Sequence, residues 1–414
     1  ISGDITIADG DTVYLDAGTQ FLFDGEYDFN IYGVLKAIGT ESDSIIFDNY
    51  GDERWKGFTL DNVSDETELR YVRISGADKF YGSGMWLSSS NPILTHMTIS
   101  NNGRQTFNSQ LDETYGGGMY LDTSNPTLTY VNIINNTAGS LGGGIHLYTS
   151  NPILTHVTIT NNMADWYGGG MSLSYSNPTL TDMTISNNMA RNRGGGMDLY
   201  NSNPILTYVT IVDNTATDSY SYGGGIYLDG SNPTFTNVTI SNNAATANGG
   251  GMDLMWGSYP TLINSIVWDN NPMSIYIQSG APLITYSDIQ GGWEGEGEGN
   301  IGIDPMFVDS ENGDYGLMEG SPCIDTGTLD LDGDGVDDIT DFFGSTTDMG
   351  AFEFVGASIP GDLNGDSIVN VIDIIIVVNL IIDGQPYDSA ADLNGDSIIN
   401  IIDIIQILNI ILDA

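Results

Sequence analysis

Apolar and polar residues alternate through the middle of the chain, shift phase, and then repeat. Between Gly168 and Ala190, Met171 and Leu173 form one apolar pair, Leu180 stands next, and Met183 and Ile185 form another. A period of two indicates strand, and the intervening Gly, Asn and Pro are corner residues. The Asn-Pro pair that marks one corner begins at Asn91, Asn125, Asn151, Asn177, Asn203 and Asn232, with Tyr259-Pro260 as a variant. A near-constant period of this size is the signature of a solenoid. Three short strands per repeat predict an all-β right-handed parallel β-helix over residues 1–290, with equivalent residues stacked ~4.8 Å apart along the axis.

The inward columns follow from the register. One is Met85, Met119, Ile145, Met171, Met197, Ile226 and Met252; the next is Leu87, Leu121, Leu147, Leu173, Leu199, Leu228 and Leu254. A third runs Leu94, Leu128, Leu154, Leu180, Leu206, Phe235 and Leu262. Each fully buried Leu contributes roughly 1.5–3 kcal/mol. Asn102, Asn136, Asn162, Asn188, Asn214, Asn243 and Asn270 recur as the second residue of a polar pair. Asn tolerates left-handed corners and its amide can bond to the Asn one coil above, so this column reads as a structural asparagine ladder.

Insertions fall between that corner and the Gly-Gly-Gly run, at 103–115 and 215–222. Phe107, Tyr115, Trp166, Tyr167, Tyr220 and Tyr222 share this side, and insertions confined to one face often mark a binding face. The outward positions after Gly-Gly-Gly are Trp86, Tyr120, His146, Ser172, Asp198, Tyr227 and Asp253. Two residues on lie Ser88, Asp122, Tyr148, Ser174, Tyr200, Asp229 and Met255. Aromatic rings with interspersed carboxylates suit sugars, although aromatic stacking on a strand face also simply stabilises a sheet. His96 and His156 share a corner position with Tyr130, Asp182 and Tyr208, which reads as a tolerant turn site.

Charge narrows the field. The chain has 55 acidic and nine basic residues among 414, a net charge of -46, which disfavours nucleic acid and anionic membranes as partners and favours cations. Cys323 is the sole cysteine and stands in a setting suited to a small buried residue. No charged-then-apolar leader opens the chain, so a secretion signal is read as removed or not included. The apolar run 374–382 is too short to span a bilayer. No amphipathic capping segment precedes the first coil, which leaves a strand edge free for stacking.

Much of the acidity is clustered. Asp330, Asp332, Asp334, Asp338 and Asp341 occupy positions 1, 3, 5, 9 and 12 of a loop with Gly335 at 6. Asp362, Asn364, Asp366, Asn370 and Asp373 repeat the spacing, as do Asp392, Asn394, Asp396, Asn400 and Asp403. This is the oxygen-ligand spacing of an EF-hand-type Ca2+ loop, with carbonyls from Val336, Ile368 and Ile398 at position 7. Asp at position 12 replaces the usual Glu, and Ser367 and Ser397 replace the turn Gly. The last two loops each lead into an apolar helix-like run, and a helix apolar almost all round needs a cover.

Three resemblances follow. The coil architecture resembles pectate lyases and polygalacturonases, whose activity lies on this same outer strand face; Asp198, Asp229 and Asp253 are the minority catalytic candidates it implies. Such lyases need a basic residue, and none follows Arg193; the polygalacturonase motifs are also missing, which favours a non-catalytic reading. The order Ile303-Asp-Pro-Met-Phe-Val-Asp, Ser321-Pro-Cys-Ile-Asp-Thr-Gly and Asp348-Met-Gly-Ala-Phe-Glu resembles the closing segment of secreted bacterial β-helix proteins of unassigned function, implying a cap over 291–355. Residues 361–414 resemble a type I dockerin, a small all-α module. That resemblance implies Ca2+ as cofactor, an extracellular or cell-surface location, and a cohesin-like partner. Val371, Ile372, Ile401 and Ile402 stand at the family's partner-reading positions, which are often polar. The expected function is an extracellular rod assembled through its tail to a cohesin-like protein or another copy of itself, head to tail. The alternative is a carbohydrate-binding or polysaccharide-degrading β-helix.

Overall fold

The computed structural model describes residues 1–103, 114–355, 361–363, 368–383, 391–394 and 398–413. The chain divides into two units: residues 1–305 with 349–351, and residues 306–348 with 352–414.

The first unit is the solenoid. Three parallel sheets of eleven strands each run its length, and every strand pairs with its equivalent in the preceding and following coil. Met171–Ser174 pairs with Ile145–Tyr148 on one side and with Met197–Tyr200 on the other, residue for residue. The inward Met/Ile, Leu and Leu/Phe columns are buried throughout. The first coils are filled instead by rings: Phe23 stacks on Trp55 at 4.4 Å and Phe21 on Phe47 at 4.9 Å.

The asparagine ladder is present. Each side-chain amide donates to the next coil's amide oxygen at 3.0–3.1 Å, from Asn102 to Asn136 and on to Asn270. The left-handed corner, however, belongs to the residue before it: Asn101, Asn135, Asn161, Asn187, Asp213, Asn242 and Asp269 have φ of 51–57°. The two Asn jobs are therefore split, one turning the chain and the other satisfying buried backbone. Immediately after the ladder a fourth, two-residue strand joins Thr137–Ala138, Met163–Ala164, Met189–Ala190 and Thr215–Ala216, beyond the three strands expected per coil.

Two further ladders line the Asn-Pro corner. The backbone N–H of Ser90 donates to Ser124 Oγ, Ser124 to Ser150, Ser150 to Ser176, Ser176 to Ser202 and Ser202 to Ser231, all at 3.0 Å. At the exposed edge beside them, the N–H of each Asn donates back to the preceding Asn, as from Asn151 to Asn125 at 2.6 Å. A constant Ser before each Asn-Pro was the available signal.

The Gly-Gly-Gly run has a steric cause. Gly168 has φ of 65°, which folds the preceding residue back over the strand. A Cβ on Gly169 would stand 2.4 Å from the Gly195 carbonyl oxygen and from Met189 backbone. The two-residue strand thus packs directly against the glycines, with no room for side chains.

In the second unit, Phe307–Asp309 and Asp314–Leu317 form an antiparallel pair. Cys323 is buried, as its setting suggested. Buried Asp348 ties the segment together by accepting from the Asp325 N–H at 2.7 Å and the Phe354 N–H at 2.5 Å. Helices α1 (Val371–Asp383) and α2 (Ile401–Asp413) pack around buried Val377, Ala391 and Ile407. No helix among the described residues is long and apolar enough to cross a membrane.

Candidate functional site

The outward column after Gly-Gly-Gly is in perfect register, but most of it is not on the surface. His146, Ser172, Asp198, Tyr227 and Asp253 are all buried. His146, Asp198 and Tyr227 lie against residues that precede a Gly-Gly-Gly run, Tyr115 on the first and Arg193 on the other two, where the left-handed glycine folds the chain back. Tyr81, Tyr115, Leu141, Tyr167, Arg193, Tyr222 and Asn248 bridge one another in that covering column. The two columns interlock with an offset: Tyr81 stacks on Tyr120 at 5.3 Å, and Tyr115 packs on His146 at 5.7 Å.

Arg193 is the centre of this zipper. Its guanidinium lies 4.0 Å from the Tyr167 ring and 4.5 Å from the Tyr227 ring. Its Nε stands 2.8 Å from Asp198 Oδ1 and its Nη1 3.7 Å from Asp229 Oδ2. The Nε contact is an ion pair whose N–H is not aimed well enough to count as a hydrogen bond. Burial pushes the Asp198 carboxyl up to about 6 against the pull of Arg193. Burial is the largest influence on Arg193 and works to lower its pKa, but Asp198, Tyr227, Tyr167 and Asp229 together hold the group above its ordinary value. Sequence reading treated Arg193 only as the last basic residue and missed it as the partner of both carboxylates. The fold-back and the coil offset that bring them together are invisible in a linear pattern.

Of the three catalytic candidates, Asp198 and Asp229 are thus joined through Arg193. Asp253 carries no ion pair among the described residues, and both its oxygens lack a hydrogen-bond partner. Burial alone raises it to about 7. His146 Nδ1 and Ser172 Oγ are also buried without partners, and burial lowers His146 to about 4, so it is neutral at ordinary pH. Asp198 and Asp253 are buried, and Arg193 lies between Asp198 and half-buried Asp229.

Of the loop-side residues, Phe107 lies outside the described residues, while Trp166 and Tyr220 are exposed. His96 and His156 turn out to do more than fill a turn: Tyr71, His96, Tyr130 and His156 stack face to face at 4.6–4.9 Å.

In the first acidic loop, Asp330, Asp332 and Asp338 bring carboxylate oxygens within 4.8 Å of one another. Asp334 and Asp341 stand outside that group. Asp330 accepts from Gly333 and Gly335 N–H groups at 2.8 Å, which curls the loop around its first carboxylate. In the two tail loops, Asn364, Asp366 and Asp396 lie outside the described residues. Asp373 accepts from the Leu363 and Asn370 N–H groups at 2.8 and 2.7 Å. Asp403 accepts from those of Leu393 and Asn400 at 3.0 and 2.8 Å, the same geometry in the second copy. Asp373, Asp403 and Asp392 are buried, and Asp362, Asn370, Asn394 and Asn400 complete the described set. An all-oxygen donor set of this kind, with a buried carboxylate at position 12 of both loops and at position 1 of the second, fits a hard cation such as Ca2+.

The helices following these loops are bare on one side. Val371, Ile372, Ile375, Ile401, Ile402 and Ile405 are each at least half exposed. The helices are therefore less buried than their almost continuous apolar sequence suggested.

Comparison with known proteins agrees with this geometry. Residues 4–208 and 181–295 match the right handed beta helix region family, and residues 360–412 match the dockerin type I domain. No curated protein matches the chain. Among solved structures, the crystal structure of pectate lyase Pel9A is similar with a TM-score of 0.50 at 14% identity, covering 84% of this chain and 87% of that chain. At that identity the likeness concerns the fold alone. The chain belongs to the right-handed β-helix family and carries a type I dockerin domain at its C-terminal end.

Proposed function

We propose that this protein is an extracellular, non-catalytic β-helix rod attached through its dockerin tail to a cohesin-like partner, with Ca2+ holding the tail loops. The observation that carries the reading is the bare apolar face of α1 and α2. The same residue pair, Val371-Ile372 in one copy and Ile401-Ile402 in the other, opens each helix next to an acidic loop. Apolar surface presented twice in this way, on helices that pack around a small core whose fully buried members among the described residues are Val377, Ala391 and Ile407, is built to be covered. Ca2+ would bring the repelling carboxylates of each loop together and fix the helix start beside them. A non-catalytic rod is supported by Arg193, which already occupies the two carboxylates best placed for chemistry.

The test is binding of the full chain to a panel of type I cohesins in Ca2+ and in chelator. Binding in Ca2+ that chelation abolishes is expected, as is its loss in an Ile372→Ser/Ile402→Ser variant that melts like the parent. Absence of binding to every cohesin would refute the partner. Higher-order species in light scattering without cohesin would put a second copy of the chain in its place.

A further inference from the structure

One aromatic group on the solenoid is neither covered by the zipper nor consumed by stacking. Tyr148 and Tyr200 occupy the second outward position of coils two steps apart, with Ser174 between them. Tyr175 fills the corner of the intervening coil. The three are 42%, 50% and 36% exposed for Tyr148, Tyr175 and Tyr200. Tyr175 meets Tyr148 at 6.4 Å and 89°, and Tyr200 at 5.3 Å and 84°. Edge-to-face packing leaves ring faces open, whereas the parallel stack of Tyr71, His96, Tyr130 and His156 uses its faces up.

The patch is also fixed in place. Tyr175 adopts φ of 53°, in a corner where other coils carry Asn62, Ser89, Thr123, Thr149, Asn201, Gly230 and Trp256, so the turn itself does not require a ring. Its ring packs edge to face between Tyr148 and Tyr200, which holds it against its neighbours. Strand stacking sets Tyr148 and Tyr200 about 10 Å apart.

Polar groups surround the rings. The same column continues to Asp122 on one side and Asp229 on the other, with Ser174 in the middle. A protein-binding hot spot would need a desolvated apolar centre, which this column lacks. Rigid ring faces between hydroxyl, amide and carboxylate groups suit a sugar chain, whose C–H faces stack on aromatics while its hydroxyls bond at the rim. Arg193, the basic group reaching this edge, is committed to Asp198 and Asp229. Nothing in the column would offset the charge of an anionic polymer.

We infer that Tyr148, Tyr175 and Tyr200 form a binding surface for a neutral polysaccharide, and that it excludes polyuronates. The surface does not depend on the dockerin reading, and its failure would leave the cohesin test untouched. The experiment is affinity electrophoresis of the full chain in gels containing xyloglucan, glucomannan, mixed-linkage β-glucan or polygalacturonate. At least one neutral polymer should retard the protein, and polygalacturonate should not. In a Tyr175→Ala/Tyr200→Ala variant the retardation constant should weaken about tenfold or more, with melting unchanged, while Tyr130→Ala in the stacked ladder should bind as the parent does. Absence of retardation by all three neutral polymers, equal retardation of the double variant, or tighter binding to polygalacturonate would each overturn the inference.

Discussion

Leu173 meets Leu147 on one side and Leu199 on the other, and all three are buried. Ile372 and Ile402 hold equivalent places in two copies of a loop–helix unit, and they are 53% and 50% exposed. Both regions are made by repeating a sequence, but repetition does different work in each. In the coils a repeat has a neighbour above and below, so an apolar column closes on itself and backbone groups find ladder partners. In the tail each repeat has one neighbour, and the small shared core leaves the outer apolar positions uncovered. The rod is held by its own contacts; the tail is arranged around acidic loops and an unfilled face.

The contrast breaks most severely at the glycines. Gly169→Val would push a side chain into the Gly195 and Met189 backbone at 2.4 Å. The central coils should fail to stack, and far-ultraviolet circular dichroism should show loss of the β signal. A variant with parent-like melting would contradict the steric account of Gly-Gly-Gly.

The next largest effect lies at Arg193. Arg193→Ala leaves Asp198 buried and uncompensated, at a cost of roughly 3–5 kcal/mol. Adding Asp198→Asn should recover much of that loss, because a neutral amide does not need the cation. Denaturant unfolding of both variants checks this, and failure of the second change to rescue would show that Arg193 matters through its ring contacts instead.

Asp253 sharpens the comparison at smaller scale, since it is a rod carboxylate without the partners that the tail carboxylates have. Burial raises its pKa to about 7, so the folded state holds the proton more tightly than the unfolded chain. Its contribution is therefore intact below about pH 4 and is lost as pH rises through 7. Asp253→Asn should raise stability at pH 8, on the order of 2–4 kcal/mol, and change little near pH 4. A pH-independent effect would contradict the assignment.

The inward columns were legible because period-two alternation survives any corner, and the asparagine ladder because its residue never changes from Asn102 to Asn270. The left-handed turn was assigned one residue late, since both members of the Asn pair are plausible corner formers. The burial of Asp198 and Asp253 was not legible at all. It depends on a positive φ at the first Gly of each run, which swings residues such as Arg193 over the strand. The acidic loops were plain in spacing, while the gathering of Asp330, Asp332 and Asp338 without Asp334 and Asp341 needed coordinates.

Hydrogen exchange of the full chain, followed by mass spectrometry with Ca2+ and with chelator, tests the central distinction most directly. Protection in 371–383 and 401–413 should collapse on chelation while the strands of the eleven-stranded sheets stay protected. Unchanged protection in the two helices, or a loss spread through the coils, would contradict it.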